Sequence, residues 1–341
     1  MQGPFFVPKI RELDRVLKNT EPGESPTFET KKINTNTAKT LIMQITIIGT
    51  GLIGCSLGMA LKKQGHHITG ADSNPDNLEK ALFRGGIDEA KELTEALKDA
   101  QLVVLCVPVN AVKELIVPIL DAMPDNAVLM DMGSTKEEIC AVANAHPRRA
   151  DFVAVHPMAG VEHSGPLAAH VDLFLHARVI VCDAQKSATN ALNTVLGILQ
   201  ELKMKVIFMD ARQHDRQLAL VSHLPQFIAY ALSAMEDFGD PSNKDWVELG
   251  GGGLQSSIRL GKSDAGMWIP IFQQNKENVL KYIDRYMHKL QEMKYLLETR
   301  DELQMLELIR SSNKNYEKLN YRNNKPEAVV PDKETTRLFY S

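Results

Sequence analysis

Two groups of residues in this chain have types and spacings suited to chemistry. The first is Gly49-Thr50-Gly51-Leu52-Ile53-Gly54, which follows a short apolar run and opens a helical pattern. In that setting the first glycine permits a tight turn, the second lets backbone approach a pyrophosphate, and the third lets helix and strand pack closely. The free amides at the helix start, those of Leu52 and Ile53 among them, add the positive end of the helix dipole. Asp72 ends the next apolar run, where a carboxylate would bond the ribose hydroxyls of an adenine dinucleotide. Its charge would repel a 2′-phosphate, and Ser73 supplies no compensating cation, so NAD is expected rather than NADP. The second group follows later apolar runs. Val107-Pro108 ends one, Met132-Gly133-Ser134-Thr135-Lys136 follows another, and His156-Pro157 closes a third. A histidine there can take a proton from an alcohol as its hydride leaves, or can simply start a turn before Pro157. Ser134 can contact a substrate, and a hydroxyl of this segment can equally cap the next helix.

The elements that must position these residues are legible from periodicity. Short apolar runs at 44–48, 67–71, 102–107, 127–131, 152–155, 178–182 and 205–209 alternate with amphipathic stretches such as 52–64, 111–122 and 188–202. That alternation predicts an α/β fold, a doubly wound parallel sheet of the Rossmann type, over residues 43–210. Ligands of such sheets sit beyond the carboxyl ends of the strands, so all the residues above should line one cleft. After Asp210 the strand signal stops. Residues 211–238 read as one helical stretch interrupted at Pro225, and 268–320 as almost wholly helical, which predicts an all-helical second domain over 211–320. Residues 1–42, with four prolines and no sustained period, read as an extension, and 321–341 as a tail.

Composition narrows the function classes. The chain has 341 residues with 39 basic and 43 acidic side chains, a net charge of −4, so no nucleic-acid footprint is expected. No apolar run approaches the ~18 residues of a membrane helix, and the first residues do not form a signal peptide. Cys55, Cys106, Cys140 and Cys182 form no CxxC pair, which predicts reduced thiols, a cytoplasmic protein and no metal site.

At these residues the sequence resembles the prephenate dehydrogenases of tyrosine biosynthesis. The matching stretches are Gly49–Leu57 (GTGLIGCSL), Asp131–Lys136 (DMGSTK), His156–Gly165 (HPMAGVEHSG), Asp210–Pro225 (DARQHDRQLALVSHLP) and Gly251–Trp268. The resemblance covers about residues 43–300, and the pairing of HPMAG-x-E-x-SG with SHLP makes it specific. It implies a Rossmann domain followed by a helical domain that forms a homodimer. The implied reaction is the NAD-dependent oxidative decarboxylation of prephenate to 4-hydroxyphenylpyruvate. Oxidising the ring carbinol to a ketone makes carbon dioxide a good leaving group, and aromatisation makes the step irreversible.

Carried over by position, His156 matches the histidine that bonds the ring hydroxyl and assists its deprotonation. Ser134 matches a serine that helps hold that hydroxyl. Arg259 matches the arginine that binds a substrate carboxylate, although a surface ion pair is the commoner fate of an arginine. Glu162 matches an acid near the cleft entrance, Trp268 reads as packing, and His223 either faces the site or ends a helix turn. The sequence departs from the family at Gln226, where relatives often carry a second histidine, and at Ile258, where they often carry threonine. Gln226 offers no carboxylate to the ammonium of arogenate, which favours prephenate, with arogenate as the alternative substrate. The length leaves no room for the regulatory or chorismate mutase modules of some relatives, so a monofunctional enzyme is expected. A 3-hydroxyacid-type dehydrogenase would need a lysine in a helix of the second domain. A non-catalytic NAD sensor would not need His156, Ser134 and Arg259 together.

Overall fold

The computed structural model describes residues 42–160, 163–235, 238 and 245–324. Eight strands form one sheet: β1 (Gln44–Ile48), β2 (His67–Ala71), β3 (Glu89–Ala90), β4 (Leu102–Leu105), β5 (Val128–Asp131), β6 (Phe152–Met158), β7 (Arg178–Cys182) and β8 (Lys205–Met209). Their order is β3-β2-β1-β4-β5-β6-β7-β8, so the chain winds outward from β1 in both directions. In β4, Leu102 and Val104 join the hydrophobic cluster on one face while Val103 and Leu105 join the cluster on the other. Burial on both faces is why the central strands read as unbroken apolar runs.

The fold is the Rossmann sheet expected, with one correction to an all-parallel reading: β7 pairs with β6 antiparallel. The physical reason lies in the connection, residues 159–177. Its described part holds a 3-10 turn at Pro166–Ala168 and no covering helix. A parallel return needs a crossover element on one face of the sheet, and without one the next strand runs back the other way. The antiparallel partner also lengthens β6. It pairs with β5 only as far as Asp131↔Ala154, whereas its pairing with β7 continues through His156↔Ile180 to Met158↔Arg178. His156 therefore sits inside a strand, on the part that outruns β5. Phe152 and Ala154 share a cluster with Ala211 and Leu218, and the two-residue period puts His156 in the same row.

Beyond the sheet the chain turns helical. α1 (Ala211–Leu218) and α2 (Leu224–Ser233) are joined by a π turn at Ala219–His223. The sequence placed the break at Pro225; the chain absorbs it upstream. Proline has no N–H to give to the carbonyl four residues back, and widening the preceding turn accommodates the loss. α3 (Gly252–Ile258) runs into a 3-10 turn, Arg259–Lys262, followed by α4 (Ala265–Gln274). Residues to Leu280 form one compact unit and those from Lys281 a second. The second unit holds the rest of the helix Lys276–Glu298 and the helix Glu302–Asn324, the latter running past the expected start of the tail. Tyr295, Leu297, Leu303 and Leu319 of this unit are exposed apolar side chains. No helix among the described residues is long and apolar enough to cross a membrane. The extension expected over residues 1–42 lies outside the described residues except for its last, Ile42.

Candidate active site

The glycine turn has the geometry that its sequence predicts. Gly49 adopts φ +88°, and a Cβ there would lie 2.6 Å from the Cys106 carbonyl and 2.7 Å from the Val107 side chain. A Cβ on Gly54 would lie 2.0 Å from the Gly49 carbonyl oxygen, so helix and turn touch there. Gly51 has open space on that side. In the helix Leu52–Lys62, the Cys55 amide bonds the Gly51 carbonyl at 2.9 Å, and the amides of Leu52, Ile53 and Gly54 precede the intrahelical ladder. An open, glycine-floored helix start of this kind fits a pyrophosphate. Asp72 closes the cradle. Its Oδ2 accepts the Thr50 amide at 2.7 Å and its Oδ1 the Asn74 amide at 2.8 Å, which ties the turn after β1 to the turn after β2. Val107 lies against the Gly49 turn, and Pro108, exposed, caps the next helix.

The second cluster is built around His156. Its Nδ1 lies 2.8 Å from Nε2 of His214, and Nδ1 of His214 lies 2.7 Å from Oδ1 of Asp215. His156 is 8% exposed; His214 and Asp215 are 0% and 1%. Burial holds both imidazoles well below the ordinary pKa of 6.5, so both rings are neutral at neutral pH. Asp215 does further work. Its Oδ1 accepts the amide of Lys136 at 2.8 Å and its Oδ2 that of Glu137 at 2.9 Å, at the start of the helix Glu137–Asn144. The expected hydroxyl cap is therefore replaced by a carboxylate from another helix. Thr135 Oγ1 instead donates to Gln274 Oε1 at 2.7 Å, and Ser134 is half-buried with no hydrogen bond among the described residues.

A buried ion pair fixes the segment that carries Ser134. Lys136 Nζ lies 2.7 Å from Asp131 Oδ2, with both side chains fully buried, and also donates to the Gly133 and Thr135 carbonyls. Asp131 Oδ1 accepts the amide of Val155, next to His156, at 3.2 Å. Lys136 is thus spent on structure rather than offered to a substrate.

The helical residues join the site through Asn275. Its Nδ2 donates to the Asp215 carbonyl at 2.7 Å and lies 3.1 Å from Nδ1 of His223. His223 is buried, with its pKa lowered to about 4 by burial, and packs edge-on against Trp268. It belongs to the buried network rather than to an exposed helix end. Gln226 is buried too, and its amide donates to the Leu260 carbonyl at 2.7 Å, while Tyr230 Oη donates to the Ser263 carbonyl at 2.7 Å. These bonds pin the Arg259–Lys262 turn to α2, so Gln226 holds the turn that carries Arg259. Arg259 itself is exposed. Glu162 lies outside the described residues.

His214, Asp215 and Asn275 received no role from the sequence. The signal for two of them was present, because Ala211, His214, Asp215 and Leu218 are the buried residues of α1 and have the spacing of one helical face. Two polar residues on an apolar stripe mark a buried network.

Comparison with known proteins places the chain. Residues 57–208 match the nucleotide-binding domain of prephenate dehydrogenase and residues 210–311 its dimerization domain. A prephenate dehydrogenase of Lactococcus lactis is 30% identical over 76% of this chain and 72% of that protein. A cyclohexadienyl dehydrogenase of Zymomonas mobilis is 27% identical over 81% of this chain and 95% of that protein. Among solved structures, the prephenate dehydrogenase of A. aeolicus in complex with hydroxyphenyl propionate and NAD+ superimposes with a TM-score of 0.76. It is 29% identical, covering 82% of this chain and 99% of that one.

Proposed function

The chain belongs to the prephenate dehydrogenase family, and from that premise we propose that it oxidises prephenate with NAD, releasing carbon dioxide and 4-hydroxyphenylpyruvate. The observation that carries this reading is His156, a neutral ring at the carboxyl edge of the sheet with Nδ1 bonded inward. The turn Gly49–Gly54, Leu52, Ile53, Asp72, Val107 and Pro108 would hold the dinucleotide, whose nicotinamide supplies the hydride acceptor. His156 Nε2 takes the proton of the ring hydroxyl as the carbinol C–H leaves as hydride, giving a ring ketone. Loss of carbon dioxide leaves its bonding pair in the ring, which becomes aromatic, and the phenolate oxygen recovers the proton from His156. Ser134 steadies the hydroxyl and Arg259 binds a carboxylate of the dianion, with Glu162 at the entrance.

We assign the dinucleotide to residues 43–210 and dimer formation to the helical half, 211–320, with the protein acting as a homodimer in the cytoplasm. Three of the four cysteines are buried in the sheet domain. The test is NADH absorbance with prephenate and with arogenate side by side. Faster turnover of prephenate supports the reading, and turnover of arogenate alone transfers the same mechanism to that substrate. Turnover of neither overturns it.

A further inference from the structure

The geometry points to His214 and Asp215 as the positioning pair that fixes which nitrogen of His156 carries its proton, with Nδ1–H turned inward and Nε2 left bare for the substrate. This rests on the reading of His156 as the base and deepens it.

A row of one carboxyl group and two neutral imidazoles has two self-consistent arrangements. In one, Asp215 is ionised, His214 donates Nδ1–H to it, and His156 donates Nδ1–H to the free Nε2 of His214. His156 Nε2 is then a lone pair. In the other, Asp215 is protonated and every bond in the row reverses, leaving His156 with a hydrogen on Nε2 and no basicity there. Any mixture sets two donors or two lone pairs face to face at distances of 2.7 and 2.8 Å, where a hydrogen bond requires one of each. The charge on Asp215 therefore dictates the tautomer of a ring two bonds away.

The surroundings choose the first arrangement. Each Asp215 oxygen receives a backbone amide, from Lys136 and Glu137, and these amides open the helix Glu137–Asn144, whose dipole favours an anion. Burial outweighs the amides and the Lys136 and His223 charges, so the Asp215 carboxyl lies above its ordinary value, and it is the geometry of its partners that favours the anion. The ionised form offers an acceptor oxygen to both fixed amide donors and to a His214 Nδ1–H, with no proton of its own to place among them. Among the described residues, the other charged or titratable groups acting on His156 are Lys136, paired with Asp131, and His223. Once His156 has accepted the substrate proton, its Nδ1–H faces a ring already leaning on an anion, so the imidazolium is stabilised without water. The arrangement matches orienting groups that set a histidine's tautomer through its second nitrogen.

The experiment is 15N spectroscopy of the full-length protein with labelled histidine at pH 7, assigned with His156→Gln and His214→Gln. The expected result is that His156 and His214 are both Nδ1–H tautomers. A hydrogen on Nε2 of His156 overturns the proposal, whatever the enzyme turns over. Kinetics supply the second arm. His214→Phe keeps a ring without an acceptor and should lower kcat by ~10²-fold, while the KM values for NAD and prephenate stay within about threefold. His214→Gln, whose amide oxygen can accept from His156, should recover most of that loss. A His214→Phe enzyme with wild-type kcat overturns the proposal; if this variant does not fold, the wild-type spectrum decides. Nδ1–H tautomers together with an active His156→Asn would instead leave the pair standing and refute His156 as the base.

Discussion

The glycine turn and the His156 cluster lie in the same compact unit yet are built by opposite means. The turn is written in a few consecutive residues. Gly49, Gly51 and Gly54 lie within one turn of chain, and what comes from outside it, Asp72 and Val107-Pro108, follows the two neighbouring strands. The His156 cluster is written nowhere contiguously. It draws Asp131 and Lys136 from the end of β5, His156 from β6, His214 and Asp215 from the first helix after the sheet, and Asn275 from beyond α4. A phosphate is large, symmetric in charge and satisfied by backbone amides, so a local turn suffices. A single proton must be held on one atom, and that takes side chains locked from several directions.

Breaking the second region alone should separate the two. His156→Asn should lower kcat by ~10²–10⁴-fold, the usual contribution of general base catalysis, with NAD affinity unchanged in fluorescence quenching. A variant retaining more than half the wild-type kcat would make His156 structural.

Next in size is an acid effect on stability. His223, with its folded pKa near 4 against an unfolded 6.5, stays neutral when folded and takes up a proton when unfolded. Between those values the unfolded chain binds more protons, so stability falls as pH falls from 6.5 to 4, by roughly 3 kcal/mol in the limit. Urea unfolding of wild type and His223→Gln at pH 7 and pH 5 isolates this residue. The variant should lose less stability over that interval, and equal losses would remove His223 from the buried neutral set.

Arg259→Ala should raise the KM for prephenate by roughly 10–100-fold, as for ~1.5–3 kcal/mol of charged hydrogen bonding. Arg259→Lys should restore part of it, because a point charge lacks the bidentate fork. A KM within twofold of wild type, or a loss of NAD affinity instead, removes Arg259 from the substrate site.

The smallest effect belongs to the first region. Replacing Asp72 with serine should raise the KM for NAD and narrow the preference over NADP, since other contacts to the dinucleotide remain. A wild-type enzyme that already prefers NADP would contradict the assignment.

The same contrast explains what the sequence disclosed. Strands buried on both faces announce themselves as apolar runs, and Gly49–Gly54 announces its turn, so the cradle and every strand but the two-residue edge strand β3, which has no apolar run, were legible. The reversal of β7 was not legible either, because it follows from the lack of a covering helix among the described residues between β6 and β7, and an apolar run carries no direction. His156 was legible from its place after an apolar run. Its partners were harder to read, because the helix Ala211–Leu218 is mostly polar and only Ala211 and Leu218 mark the narrow stripe that His214 and Asp215 share. The pairing of Lys136 with Asp131 was hidden too, since it forms only once the chain turns after β5.

The pH dependence of prephenate oxidation tests most directly the claim that a neutral, buried His156 takes the substrate proton. With NAD and prephenate saturating, kcat should hold as pH falls through 6.5, and its acid limb should lie well below that value, because burial lowers the pKa of His156. An acid limb at or above pH 6.5, or a kcat indifferent to pH down to the point of unfolding, would contradict the account.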